Sequence, residues 1–431
     1  MAATLLKRCT CPHCWNSFAP EEILWVASHP ELFGDPRLGA NQYRRFLPSR
    51  FTLNGEAIDS RGQTCLELAC PHCHLAVPRS LLEVEPLFAS ILGTPGCGKS
   101  YFLAAMTWEL RKHLPQDFRV SFADADPKSN ILLSQYQEAL FLNPDGERLT
   151  PLSTLIEKTD DKGHLYNMVQ YGEGNDVRYP RPFMFSISPL KEHPNVKESH
   201  RISRVLCLYD NAGENYLAKA GSSNQTETQH LGKAQFLMFL FDPTQDQRYR
   251  SKVQAVKGKS FVLPPARQIQ RQEVVLVEAV SRIRRLTGQS STTKYDRPLI
   301  VIVTKQDEWD FLIPNRDTTS CWVRAQQGFC VLDGAVIENQ SQQIRGLLNQ
   351  IAPEVVSSAE SFSEKVCYIG VSALGVTPET VAAANSGWID PAKANEPSVR
   401  PATIQPLNVM LPFLYGLGHS LSGVIPLKKR K

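Results

Sequence analysis

Beyond Pro86, apolar residues fall in short continuous runs separated by polar stretches. The runs are LFASIL (87–92), FRVSF (118–122), RVLCLYD (204–210), QFLMFLFD (235–242), LIVIVT (299–304) and KVCYIGVS (365–372). Each is too short for a helix and reads as a buried strand. Between them the spacing changes. Phe102, Leu103, Met106 and Leu110 predict a helix over 99–113, which Pro115 stops. Ile269, Leu276, Ala279, Val280 and Ile283 share one face of a helix over about 267–286, with Gly288 as its cap, and another helix covers about 337–351. Continuous apolar strands separated by helices predict an α/β domain whose mostly parallel sheet is covered on both faces. Residues 123–200 and 211–234 are long, polar and weakly periodic, as expected of functional or disordered loops.

The first 85 residues follow another pattern. Cys11-Pro-His-Cys14 is followed by Pro20, and Cys70-Pro-His-Cys73 by Pro78, a near-repeat of two-cysteine turns. The stretch 30–62 between them is rich in Pro, Gly, Asn and Arg, and reads as an inserted loop. The expected organisation is a small module over 1–85, an α/β domain over 86–425 and a basic tail over 426–431. Residues 401–427 carry no Asp, Glu, Lys or Arg, which is long enough for a bilayer span. Pro401, Pro406, Pro412, Gly416, Gly418, Gly423 and Pro426 interrupt that stretch. A last core helix over about 407–417 with an irregular tail fits better, so membrane contact is not expected.

Composition narrows the class. Hydrophobic residues make up 42% and charged residues 21% of 431, which excludes a mostly disordered or collagen-like chain. Lys+Arg of 47 against Asp+Glu of 43 gives +4, too weak to signal a nucleic-acid-coating protein. Eleven cysteines, an odd number, and a first segment without an apolar leader argue against a disulfide framework and for a reducing cytoplasm. The two C-x-x-C turns supply four thiolates, suited to a closed tetrahedral Zn²⁺ site on Cys11, Cys14, Cys70 and Cys73. His13, His72, His74, Cys9 and Cys65 lie nearby and are expected to be bystanders. A redox C-x-x-C is the rival, disfavoured by two matched pairs.

The densest chemistry is Gly93-Thr94-Pro95-Gly96-Cys97-Gly98-Lys99-Ser100, which matches G-x-x-x-x-G-K-[ST] between a predicted strand and a predicted helix. Glycines let backbone N–H groups wrap phosphate oxygens at a helix N-terminus. Lys99 would reach the β- and γ-phosphates, and Ser100 would ligate Mg²⁺. Cys97 is read as a small filler, with oxidation sensitivity as the sharper option. Asp210-Asn211-Ala212-Gly213-Glu214 follows a strand, so Asp210 is placed to hold the water shell of Mg²⁺ and Gly213 to approach the γ-phosphate. Thr304-Lys305-Gln306-Asp307 follows LIVIV. Guanine presents N1–H and the N2 amine as adjacent donors that one carboxylate accepts, and adenine lacks the second donor. Asp307 would select guanine while the stem of Lys305 covers the ring. Backbone N–H groups at Ser372 and Ala373, after the next strand, would meet guanine O6.

In this order, and each at a strand's C-terminal end, the four motifs resemble the G1, G3, G4 and G5 boxes of P-loop GTPases of the translation-factor-related class. The resemblance covers about residues 86–420. With the cysteine-rich start, the chain is most similar to the bacterial double-GTPase type 2 group. The resemblance implies a P-loop NTPase three-layer sandwich behind a zinc-ribbon-like module. It also implies a GTP/GDP switch that signals to a protein partner, within a bacterial conflict or anti-phage system.

Two positions depart from the common pattern. The residue after D-x-x-G is Glu214 rather than Gln. An ionised glutamate only accepts hydrogen bonds, so hydrolysis would be slow without a partner. The switch-I threonine is not evident; Thr159 is the candidate and Thr150 the runner-up. Arg178 and Arg181 read as solvated loop residues, with internal charge stabilisation as the alternative. An ATP-using P-loop enzyme and a non-hydrolysing nucleotide-binding scaffold remain rival functions.

Overall fold

The computed structural model describes residues 4–156, 165–172, 174–210, 226–257, 271–290, 292–380 and 396–428. At its centre is a seven-stranded sheet: β1 (Pro86–Gly93), β2 (Val120–Asp124), β3 (Phe183–Pro189), β4 (Arg204–Asp210), β5 (Phe236–Phe241), β6 (Leu299–Val303) and β7 (Val366–Gly370). Their spatial order is β2-β3-β4-β1-β5-β6-β7. β4, β1, β5, β6 and β7 run parallel, and β3 is antiparallel to both of its neighbours. The sheet is therefore mixed, with a single reversed strand.

The longer helices are α1 (Lys99–His113), α2 (Ile131–Phe141), α3 (Gln247–Lys257), α4 (Glu273–Thr287), α5 (Gly334–Ile351), α6 (Pro353–Phe362) and α7 (Leu411–Ser420). Strand alternation divides the core in two. Ala89, Ile91, Leu208, Met238 and Ile302 face α1 and α7. Leu92, Phe239, Phe241, Val301 and Val303 face α4 and α6. Helices thus cover both faces, and the mixed α/β expectation holds. Gly288 ends α4 in the left-handed region (φ 67°), as its position predicts.

The second face is completed by the cysteine module. Phe88, Met184, Val205, Cys207 and Tyr209 of the sheet share one buried cluster with Cys11, Trp15, Phe18, Leu68 and Leu81. Within the module, Cys9–Thr10 pairs with Ser17–Phe18, and Leu68–Ala69 pairs with Ala76–Val77, one hairpin around each cysteine turn. The sequence near-repeat is thus a structural one.

Two expectations change and a third, the last core helix, holds. The polar stretch 123–200 contains α2, the hairpin Tyr166–Gln170/Asp176–Pro180 and the interior strand β3. The final segment is not merely a solvated tail, because Leu427–Lys428 pairs in parallel with Leu332–Asp333. The uncharged 401–427 stretch contributes α7, whose Leu411, Phe413, Leu414 and Leu417 are buried against the sheet. Among the described residues, no helix is long and apolar enough to cross a membrane.

Candidate functional site

The glycine-rich loop leaves β1 at Gly93 and enters α1 at Lys99. Gly96 (φ 75°) and Gly98 (φ 92°) occupy the left-handed region, where a side chain would be strained. At Gly93 a Cβ would lie 2.7 Å from Cys97 Sγ and 3.1 Å from the Leu240 carbonyl oxygen, so the loop is pressed against β5. Cys97 is fully buried and burial raises its thiol pKa, which fits the filler role and not a reactive thiolate. The Thr94 hydroxyl donates to Gln272 Oε1 (3.4 Å). Lys99 Nζ donates to the carbonyls of Gly93 (3.0 Å) and Thr94 (3.2 Å). Its charge thus sits at the positive end of the 15-residue α1, whose first turn also holds Ser100.

Asp210 ends the neighbouring strand β4 and is 8% exposed. Its Oδ1 has no hydrogen-bond partner among the described residues. Burial raises its pKa to about 6, and the Lys99 ammonium pulls in the opposite direction. Cys97 feels the charges of Lys99, Asp242 and Asp210, so these groups gather round one loop. Gly213, Glu214 and Thr159 lie outside the described residues. Thr150 pairs with Val399 in a short strand, and its hydroxyl donates to the Arg148 carbonyl.

At the end of β6, Lys305 adopts a left-handed backbone (φ 56°). Its Nζ lies 2.8 Å from Asp242 Oδ2 and 2.9 Å from Thr244 Oγ1. Asp242 is fully buried at the end of β5 and also accepts from the Thr244 amide and Gln245 Nε2. The Gln272 side chain clasps the Asp242 backbone, donating to its carbonyl (2.7 Å) and accepting from its amide (2.9 Å). Gln272 thereby joins β5 to the glycine-rich loop through Thr94. Asp242 and Gln272 were not singled out from sequence. Asp242 carried a usable signal, an acidic residue closing a buried apolar strand; Gln272 carried none.

Asp307 accepts a hydrogen bond from the Thr377 hydroxyl (3.2 Å). Thr304 is buried, and its amide and hydroxyl both donate to the Phe241 carbonyl, which makes it a tie between strands. The Ser372 amide donates to the Leu407 carbonyl (3.0 Å), and its hydroxyl accepts from the Gly375 amide. That amide therefore does not face a ligand, contrary to the expectation for Ser372. Ala373 packs against the apolar core. Because β1, β4, β5, β6 and β7 are parallel, residues 93–100, 210, 242–245, 304–307 and 372–375 all lie at one edge of the sheet. In open α/β sheets, that edge is where ligands bind.

The second site is the cysteine cluster. The Sγ atoms of Cys11, Cys14, Cys70 and Cys73 are buried and lie within 4.8 Å of one another. Cys11 to Cys73 is 3.7 Å and Cys14 to Cys70 is 3.8 Å. A tetrahedral Zn²⁺ with Zn–S of about 2.3 Å sets its sulfurs about 3.8 Å apart, so the cluster fits zinc. The His13 amide points at Cys11 Sγ (3.3 Å) and the His72 amide at Cys70 Sγ (3.4 Å), the same contact in each repeat. Trp15 and His74, directly after each second cysteine, both have positive φ. The expected bystanders are placed elsewhere. The His13 ring meets the Ala76 carbonyl, the His74 ring pairs with Asp35, Cys65 lies near Asp59, and Cys9 packs in the module core.

The two arginines are not simply solvated. Arg178 pairs with the buried Glu227 (3.4 Å) and lies over the Tyr166 ring, and Arg181 donates to Asn167 Oδ1. No protein-family model matches this chain, and no curated protein matches it.

Proposed function

We propose that this chain is a P-loop GTPase with a three-layer sandwich fold and an N-terminal zinc module, working as a GTP/GDP switch. The observation that carries the proposal is the convergence at one sheet edge of the glycine-rich loop with Lys99, the buried Asp210, and Lys305 with Asp307. Cys97 of the loop feels the charge of Asp242, and Lys305 feels Cys97, which supports a phosphate cradle and a base-selecting carboxylate at the same end of the sheet. Lys99 would neutralise the β- and γ-phosphates, and Asp307 would accept from guanine N1–H and N2. Ser100 and Asp210 would hold Mg²⁺, which would supply positive charge to offset that of the phosphates. The buried Asp210, whose Oδ1 has no hydrogen-bond partner among the described residues and whose pKa burial raises, fits a group that could ligate a cation. Signalling would run to a protein partner in the cytoplasm.

Equilibrium binding of GTP, GDP and ATP to the full chain and to Lys99→Ala and Asp307→Ala tests this. Lys99→Ala should weaken GTP binding, and Asp307→Ala should remove the preference for GTP over ATP. Equal affinity of the unmodified protein for both nucleotides would favour an ATP-using enzyme. Glu214 favours a second reading, a scaffold that binds GTP without cleaving it. Single-turnover measurement of GDP separates the two.

A further inference from the structure

We infer that Tyr209 is a positioning residue that links the cysteine turn to Asp210, so that zinc in the module and nucleotide at the glycine-rich loop bind cooperatively. The inference rests on the function proposed above. Tyr209 is fully buried, immediately before Asp210 on β4. Its hydroxyl donates to the Pro12 carbonyl and accepts from Trp15 Nε1 (3.1 Å). Pro12 lies between Cys11 and Cys14, and Trp15 directly follows Cys14, so both partners belong to the turn that the metal would close. The Tyr209 ring stacks on His230 (4.6 Å, 16°), and His230 Nδ1 lies 2.7 Å from Ser90 Oγ on β1, three residues before Gly93.

Trp15 also meets Tyr179 edge-on (6.0 Å, 64°) in the hairpin whose Arg178 pairs with Glu227. One indole thus touches the residue before Asp210, the ring braced on β1 and the hairpin beside it. A buried hydroxyl with its donor and acceptor both engaged resists displacement, since losing either partner leaves a polar group unsatisfied. The Tyr209–Asp210 peptide is shared, so a shift of the tyrosine moves the carboxylate. Metal loss would free Cys11 from Cys14 and release both anchors. By linkage, whatever factor zinc adds to nucleotide affinity, nucleotide adds to zinc affinity.

The test uses the full-length zinc-loaded protein, with zinc affinity read by competition against a chelator of known strength. Measurements are made with and without Mg²⁺ and a non-hydrolysable GTP analogue. The nucleotide should tighten zinc binding by roughly tenfold. Tyr209→Phe keeps the ring and its stack on His230 but loses both hydroxyl bonds, and should reduce the effect to less than about twofold. Trp15→Phe, which removes the N–H donor to the hydroxyl together with part of the indole ring, is the second variant should Tyr209→Phe fail to fold. Its difference spectrum from the unmodified protein should also contain a nucleotide-dependent fluorescence change that a purely structural indole would not give. Nucleotide binding that leaves zinc affinity unchanged, or full coupling in the folded variants, would overturn the inference alone. Failure to bind any nucleotide would overturn the proposed function and this inference with it.

Discussion

Asp210 offers a quantitative test of the site. Burial raises its pKa from an ordinary value near 3.8 to about 6. A carboxyl whose folded pKa lies above its unfolded pKa binds its proton more tightly when folded. The protein must therefore lose stability as pH rises from about 4 through 6, and the loss is complete above that. At about 1.4 kcal/mol per pH unit, the total is about 3 kcal/mol. About 2 kcal/mol of it falls between pH 4.5 and pH 8. Asp210→Asn cannot ionise, so denaturant unfolding of variant and unmodified protein, without nucleotide or Mg²⁺, isolates this one group. The stability of the variant relative to the unmodified protein should grow by about 2 kcal/mol over that range. Other titrating groups, the cysteine ligands included, act on both proteins and cancel. Adding Mg²⁺ and GTP should flatten the difference, because a cation beside the carboxylate favours its charged form. A difference that stays level from pH 4.5 to 8 would refute the claim that burial raises the pKa of the Asp210 carboxyl.

Three further outcomes are expected. Cys14→Ser should lower bound zinc below about half an equivalent per chain, measured by metal analysis after purification. Asp307→Ala should weaken GTP binding about 100-fold by calorimetry, through loss of a charged acceptor for two guanine donors. Gly375→Ala should destabilise the fold by about 3 kcal/mol or more in chemical denaturation, since a Cβ there would collide with the Gln405 carbonyl oxygen at a backbone φ of +71°.

Much of the parallel part of the sheet is legible along the chain, because strands buried on both faces must be continuously apolar. β4 spans 204–210 and α1 spans 99–113, as their patterns predict. β3 escapes that logic. Pro180, Pro182 and Pro189 bracket Phe183–Pro189 and suggest a loop, yet Phe183, Phe185 and Ile187 alternate into the core. α3 escapes for the opposite reason, having only Tyr249 and Val253 buried. At the site, Gly93, Gly96, Gly98 and Lys99 announce themselves because a tight anion loop tolerates few alternatives. Thr304 is read from the T-K-x-D pattern and Ser372 from its position, and their donors bond the Phe241 and Leu407 carbonyls. The bond from Trp15 to Tyr209 joins residues 194 apart, a pairing that no local pattern encodes.

The placement of the cysteine module has a consequence for dissecting the protein. A chain started at Pro86 would bare Phe88, Met184, Val205, Cys207 and Tyr209 to water, an oily strip across neighbouring strands. Such a fragment should clump or recruit a chaperone instead of behaving as an independent domain, and prolonged chelation of the intact protein should push it the same way. The first 85 residues are in this sense a lid grown into the body of the molecule, to be kept in any shortened version meant to stay in solution.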